Sequence, residues 1–251
     1  MTLELLICTL DEGIYRLERS LLPQREDVRY LVSWQYTGEE PDTPQFLLER
    51  EDVRVVKQQG RGLSRNRNLA FEQAQGDVLK ICDDDETWSN EYLDVILEAY
   101  RLHPEADLIH FRADGHNKVY PPYFITSFEI TLRQKVARKV RFDERFGLGS
   151  PYLNAGEEEV FVCDVRRQHF IVLFLPYSIT KVEGPTTGDN IREPRLQRSK
   201  GAVWYYTRGL SYALYKSVRE SMGLMLRKRM NPIAVFRNML WGINYIRRWQ
   251  P

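Results

Sequence analysis

The run Val78-Leu79-Lys80-Ile81-Cys82-Asp83-Asp84-Asp85-Glu86 decides how this chain is read. Its largely apolar first half suits a strand buried in a sheet, and four carboxylates follow without a break. In an open α/β sheet the ligand crevice lies outside the carboxyl ends of the strands, which is where these carboxylates would stand. The flanking sequence must then show that the sheet is of that kind.

Upstream, residues 3–9, 28–34 and 53–57 are short runs rich in Leu, Ile and Val. Residues 13–22 and 64–75 between them carry helical spacing, and Gly76 is expected to end the second helix as a left-handed C-cap. Downstream, a helix starting near Ser89 puts Leu93, Ile96, Leu97 and Tyr100 on one face, and residues 108–111 give a fifth strand. Strands alternating with helices predict a mostly parallel sheet. Beyond residue 112 the pattern is less regular: Pro121, Pro122 and Tyr123, a short helical stretch over 128–136, a loop over 142–155, a helix over 157–168 and a strand over 171–175.

Of the 251 residues 43% are hydrophobic and 28% charged, a globular composition that excludes a disordered or collagen-like chain. The apolar start, residues 1–10, lacks a basic leader and a small-residue cleavage site, so it is expected to be a buried strand and not a signal peptide. No apolar run reaches membrane-spanning length. Cys8, Cys82 and Cys163 are odd in number and widely spaced, which fits reduced thiols in a cytoplasmic protein and argues against a zinc site.

Three constellations carry chemistry. The first is Asp83 to Glu86, since Mg²⁺ and similar hard cations take one or two carboxylates together with substrate phosphates; an acidic turn capping the next helix reads the same way. The second is Gly60-Arg61-Gly62-Leu63-Ser64-Arg65-Asn66-Arg67-Asn68, with turn glycines, a hydroxyl N-cap and three arginines at a helix start. Helix N-termini and arginine forks favour phosphate, and an ordinary basic capped helix would look alike. The third is Gly156-Glu157-Glu158-Glu159, whose carboxylates could take a proton from a hydroxyl or simply offset a helix dipole.

In order and spacing the three together resemble the family-2 glycosyltransferases of GT-A fold, over roughly residues 3–188. The family's Gly-x-Ser-x-x-Arg-Asn stretch is matched by Gly62, Ser64, Arg67 and Asn68, and its Asp-x-Asp cluster by Asp83 and Asp85. The segment Phe142-Asp143-Glu144-Arg145-Phe146-Gly147 looks like the one that precedes the family's base motif. The resemblance implies an α/β GT-A domain over 1–188 with a helical extension over 189–251. It also implies a nucleotide-diphosphate sugar donor, a saccharide or lipid-linked hydroxyl acceptor, Mn²⁺ or Mg²⁺, and inversion at the anomeric carbon. A role in bacterial surface polysaccharide assembly goes with it.

Carried over by residue, the resemblance makes Asp83 and Asp85 the metal ligands. Thr9, Asp11, Arg61, Ser64, Arg67, Asp83 and Asp84 become the donor site, and Glu158, with Glu157 beside it, the catalytic base. Three departures stand out. Ser33-Trp34-Gln35 replaces the acidic pair with which many members read uracil, Glu158 stands where Asp is usual, and Lys181-Val182-Glu183 occupies a stretch where many have a histidine, with Glu183 as a substitute ligand. Two rival readings remain. Cys82 to Thr87 also resembles the motif of haloacid dehalogenase-type phosphatases, with Asp83 as nucleophile, although there the motif follows the first strand. The other rival is a nucleotide-sugar binding protein without activity.

From Asp189 onward 13 Lys and Arg face 3 Asp and Glu, so a basic tail follows an acidic body. Leu210, Leu214, Val218, Met222 and Met225 share one helical face; Asn231-Pro232 is a stop and restart, and Phe236, Met239, Leu240, Ile243 and Ile246 share the next. This pattern fits helices lying on an anionic membrane, on the inner face of the cell membrane, and equally helices packed on the body or on a second subunit of a homodimer. No nucleic-acid-binding motif accompanies it.

Overall fold

Apolar runs become strands here because the central ones are covered on both faces, so no polar alternation is needed. In the computed structural model, which describes residues 1–114, 125–182 and 190–249, β1 (Leu3–Leu10) is buried along nearly its whole length. A 3₁₀ helix (Asp11–Arg19) leads to β2 (Val28–Tyr36), followed by α1 (Gln45–Leu48), β3 (Val53–Gln59), α2 (Leu63–Gln73), β4 (Val78–Asp83), α3 (Asn90–Leu102) and β5 (Leu108–Asp114). After a second 3₁₀ turn (Ser127–Glu129) come β6 (Ile130–Arg133), α4 (Gln134–Lys139), α5 (Glu157–Arg167), β7 (Val172–Lys181), α6 (Pro194–Arg208), α7 (Leu210–Lys228) and α8 (Pro232–Arg248).

The sheet has seven strands in the order β3-β2-β1-β4-β6-β5-β7. β6 alone runs against its neighbours β4 and β5, and the other pairings are parallel. The expected mostly parallel α/β sheet is therefore present. One apolar cluster joins Leu3, Leu5 and Ile7 of β1 to Leu93, Ile96, Leu97 and Tyr100, the predicted face of α3. Ser89 caps that helix as expected, accepting a bond from the Tyr92 N–H.

Three local expectations need correction. Residues 128–136 are not one helical stretch: Thr126 and Glu129 form a capping box around a 3₁₀ turn, and Ile130 to Arg133 then fill the gap between β4 and β5. A four-residue apolar run cannot be assigned by periodicity, and its sheet neighbours decide it. Gly76 does not adopt a left-handed conformation. It is small because β1 crosses it, and a Cβ there would stand 2.6 Å from the Cβ of Glu4. β7 extends beyond the expected 171–175 because it is an edge strand, in which a register shift near Pro176 absorbs the missing N–H.

The chain divides into two compact units, Met1–Phe142 with Asp164–Gly184, and Asp143–Cys163 with Pro185–Pro251. The expected boundary at 188/189 and Glu183 lie outside the described residues, as do Pro121, Pro122 and Tyr123. In the second unit α6 and α8 cross at backbone contact. A Cβ on Gly201 would overlap the carbonyl oxygen of Met239, and one on Gly242 that of Arg198. The restart at α8 is as predicted, with the Asn231 side chain accepting from the N–H groups of Ile233 and Ala234 and Pro232 in the first turn. Met239, Ile243 and Ile246 are buried as the pattern required.

On α7 the expected face is turned differently. The buried stripe is Ala213, Ser217, Ser221 and Leu224, while Val218 and Met222 face outward. Among the described residues no helix is long and apolar enough to cross a membrane.

Candidate functional site

The strand order reverses at β1: β2 and β3 lie on one side of it and β4 on the other. Crevices open at such switch points. β1 and β4 run parallel with Cys8 opposite Asp83, so the acidic turn begins level with the end of β1.

The turn is built from beneath. Glu86, fully buried, folds back so that one carboxylate oxygen accepts the Asp83 N–H at 2.6 Å. Its other oxygen accepts from Lys80 Nζ at 2.7 Å and Thr180 Oγ1 at 2.8 Å. Two of the three aspartates above it are held by protein. Asp84 accepts from Thr9 Oγ1 at 2.6 Å and from the Arg16 guanidinium at 2.7 Å. Asp83 accepts from Arg67 Nη2 and from Ser127 Oγ, both at 3.1 Å. Asp85 is exposed, and no side chain among the described residues bonds it. Its carboxyl is pushed above the ordinary carboxylate range, first by partial burial and then by the charges of Asp83 and Asp84.

The second motif turns its polar residues inward. The N-cap of α2 is Gly62, with φ of 144°, not the hydroxyl of Ser64, which is buried inside the first turn. Asn66 donates to the Thr9 carbonyl at 3.0 Å and accepts from Ser33 Oγ at 2.6 Å, tying the ends of β1 and β2. Asn68 bonds the backbone of Phe142 in both directions, at 3.0 and 2.8 Å. Arg67, 1% exposed, spans from Asp83 to the ring of Phe142. Arg61 is exposed at the mouth of the motif.

Asp11 takes a left-handed backbone, φ 49°, and its carboxylate accepts the Thr37 N–H at 2.7 Å while its carbonyl accepts from Trp34 Nε1 at 2.9 Å. Gln35, in the stretch where many family members carry acid, donates to Gln58 at 3.2 Å. Cys8 and Cys82 are buried free thiols, and burial pushes Cys8 up to about 12, which keeps it protonated and unreactive.

In the second unit, Glu157, Glu158 and Glu159 open α5. Glu157 is buried, and the other two are partly so. Glu159 is pushed up to about 7, by burial first and by Glu158 next, against the weaker pull of Lys200. Glu86 and Glu159 stood in the two acidic runs without a role of their own, and Lys80, Thr180 and Ser127 were not singled out from the sequence. Lys80 carried a signal nonetheless, because a lysine inside an apolar strand demands a buried partner.

The donor set fits a cation held partly by its substrate. Among the described residues no three Asp, Glu, His or Cys side chains converge on one point. An exposed Asp85 beside a partly engaged Asp83 gives the one or two carboxylates that Mg²⁺ or Mn²⁺ uses together with a diphosphate. The topology does not favour a nucleophilic role for Asp83, since three strands precede β4 in the chain.

Residues 36–152 match the profile of Glycosyl transferase family 2. No curated protein matches the chain by sequence. Among solved structures, S. aureus TarS 1-349 aligns with a TM-score of 0.58 at 13% identity, covering 100% of this chain and 92% of that one. Against a longer S. aureus TarS chain the coverage of that chain falls to 43%. The Pyrobaculum calidifontis mannosyltransferase in complex with GDP-Man and Mn²⁺ aligns with a TM-score of 0.56 at 12% identity, over 99% of this chain and 76% of that one. Glucosyl-3-phosphoglycerate synthase from Mycobacterium tuberculosis, in complex with Mn²⁺, UDP and phosphoglyceric acid, gives 0.57 at 12% identity, over 82% and 78%. With its acidic turn at the switch point of the sheet, the chain shares the GT-A fold of these transferases, and the match to Glycosyl transferase family 2 over residues 36–152 runs through that turn.

Proposed function

We propose that the protein transfers a hexose from a nucleotide-diphosphate donor to a hydroxyl of a saccharide or lipid-linked saccharide, with inversion, in the assembly of a bacterial surface polysaccharide. The observation that carries this reading is the division of labour in the acidic turn: Asp83 and Asp84 are tied to protein, and Asp85 is presented to solvent. The complexes of similar folds with UDP, UDP-GlcNAc or GDP-Man, and with Mn²⁺, support a donor of that class.

Asp85, with Asp83, would hold Mn²⁺ or Mg²⁺, which when bound neutralises charge on the departing diphosphate. Arg67 and Ser127 keep Asp83 in place, Thr9 and Arg16 do the same for Asp84, and Ser64, Asp11 and exposed Arg61 complete the donor side. Glu158, or Glu157 beside it, takes the proton of the acceptor hydroxyl as its oxygen bonds to the anomeric carbon and the bond to the diphosphate breaks. Residues 1–188 form the transferase domain and 189–251 the extension. A cytoplasmic protein resting on the inner face of the membrane through that extension fits an acceptor carried on lipid, and a homodimer is the alternative use of the same helices.

The test is thermal unfolding with a panel of nucleotide sugars, with Mn²⁺ and then chelator, since a ligand of the folded state raises its stability. One donor should give a metal-dependent shift that Asp85→Ala removes. Glu158→Gln should keep the shift and lose turnover. Unchanged turnover in Glu158→Gln would remove that residue from the mechanism, and donor binding without any turnover would leave a binding protein.

A further inference from the structure

α7 packs by the side that carries its small residues. Ala213, Ser217, Ser221 and Leu224 are buried. The two hydroxyls satisfy themselves by donating to the carbonyls of Ala213 and Ser217, at 2.7 and 2.6 Å. Small side chains allow neighbouring helices to approach closely, and they leave the large apolar residues no room inward. Tyr215, Val218, Met222 and Leu226, spaced three, four and four residues apart, form one stripe along the opposite side, 61, 53, 48 and 77% exposed, with Tyr212 flanking it. This inverts the usual order for a helix of a globular protein, in which the large apolar face is the buried one.

The charge around the stripe has one sign. Arg219 is exposed within it, and Arg227, Lys228 and Arg229 are exposed at its C-terminal end. The one carboxylate of α7, Glu220, lies off the stripe and is paired with Lys200 at 3.2 Å and Arg227 at 3.5 Å. A second copy of this face would bring its basic residues together with no carboxylate beyond Glu220, which Lys200 and Arg227 already engage. An anionic lipid surface offers what the face lacks: negative charge at the level of the basic residues, apolar depth for Leu226, Met222 and Val218, and an interfacial layer for tyrosine.

We propose that the outward face of α7 is the surface by which this protein docks on an anionic membrane, with Tyr215, Val218, Met222 and Leu226 inserted and Arg219 and Arg227 to Arg229 on the headgroups. This assignment rests on the peripheral attachment proposed above and is independent of the transfer chemistry.

The experiment is co-sedimentation of the full chain with vesicles of phosphatidylcholine alone and with equal parts phosphatidylglycerol. Three variants are compared with the parent: Val218→Ser/Leu226→Ser, Arg219→Gln/Lys228→Gln, and Arg237→Gln/Arg248→Gln on α8. All six positions are exposed, and circular dichroism and the unfolding midpoint check that each variant folds. Binding should need the anionic lipid. The first variant should lose it about tenfold or more, and the second about fivefold per charge removed, with weakening by salt.

If the parent binds and only the α8 variant loses binding, the α7 assignment is overturned while peripheral attachment stands. If the parent does not bind and sediments as a dimer that Val218→Ser/Leu226→Ser makes monomeric, the face is a subunit interface and both readings fall. If the parent neither binds nor dimerises, both fall as well.

Discussion

Lys80 and Glu86 form an ion pair of 2.7 Å in which neither side chain is exposed, directly beneath the aspartates that the proposed mechanism uses. The pair is completed by Thr180 and by the Asp83 N–H. A buried pair adds little net stability over an apolar isostere, but breaking it is costly because a bare charge remains. Lys80→Met should therefore destabilise the fold by about 3–5 kcal/mol, read by urea unfolding. Lys80→Met/Glu86→Leu should recover a good part of the loss and yet stay poor in metal-dependent donor binding, since the Asp83 N–H is then unanchored. Full donor binding in the double variant would show that the pair does not shape the turn.

In the proposed mechanism Arg67 would act on the donor through Asp83, since it is buried and aimed at that carboxylate. Arg67→Lys keeps the charge but loses the planar fork that reaches both Asp83 and the Phe142 ring. Groups that orient a metal ligand typically cost 10–100-fold when altered, so Mn²⁺ affinity should fall by about that range. Titrating Mn²⁺ in the thermal unfolding assay with donor present gives the number, and an unchanged midpoint would release Arg67 from this role.

Glu159 gives the protein a pH signature. Its folded-state value, pushed up to about 7, lies above that of an unfolded glutamate, so the folded state binds the extra proton. Stability from this group is complete below about pH 4.5 and is lost as pH rises toward 7. Glu159→Gln should flatten this slope and, at pH 8, raise stability by about 1–3 kcal/mol. Parallel pH–stability curves for parent and variant would show that Glu159 is not the group responsible.

Gly201 and Gly242 face the carbonyls of Met239 and Arg198, respectively, across the α6–α8 crossing. Either one changed to Ala forces the helices apart, at an expected cost of about 1–3 kcal/mol. Urea midpoints measure this, and a neutral Gly242→Ala would mean that the helices can slide without loss.

Periodicity and turn residues were enough for the sheet class, the α3 face, the Asn231 cap and the place of Asp83 to Asp85 at a strand end, because each is set within a dozen residues of chain. They could not assign β6, whose four residues become a strand only because β4 and β5 leave unpaired backbone beside them. Nor could they tell a left-handed Gly76 from one that clears Glu4, 72 residues away in sequence.

The acidic run was legible as a candidate site, but not which carboxylate is presented to solvent. That depends on Thr9, Arg16, Arg67 and Ser127 arriving from four separate segments to engage Asp84 and Asp83. α7 shows the same limit, since its sequence gives two faces and only packing chooses the one that is buried. The sequence by itself determined which residues could be strand, helix and ligand. Tertiary structure decided which polar groups face protein and which face solvent, because a buried charge or donor must find its partner wherever the fold brings one.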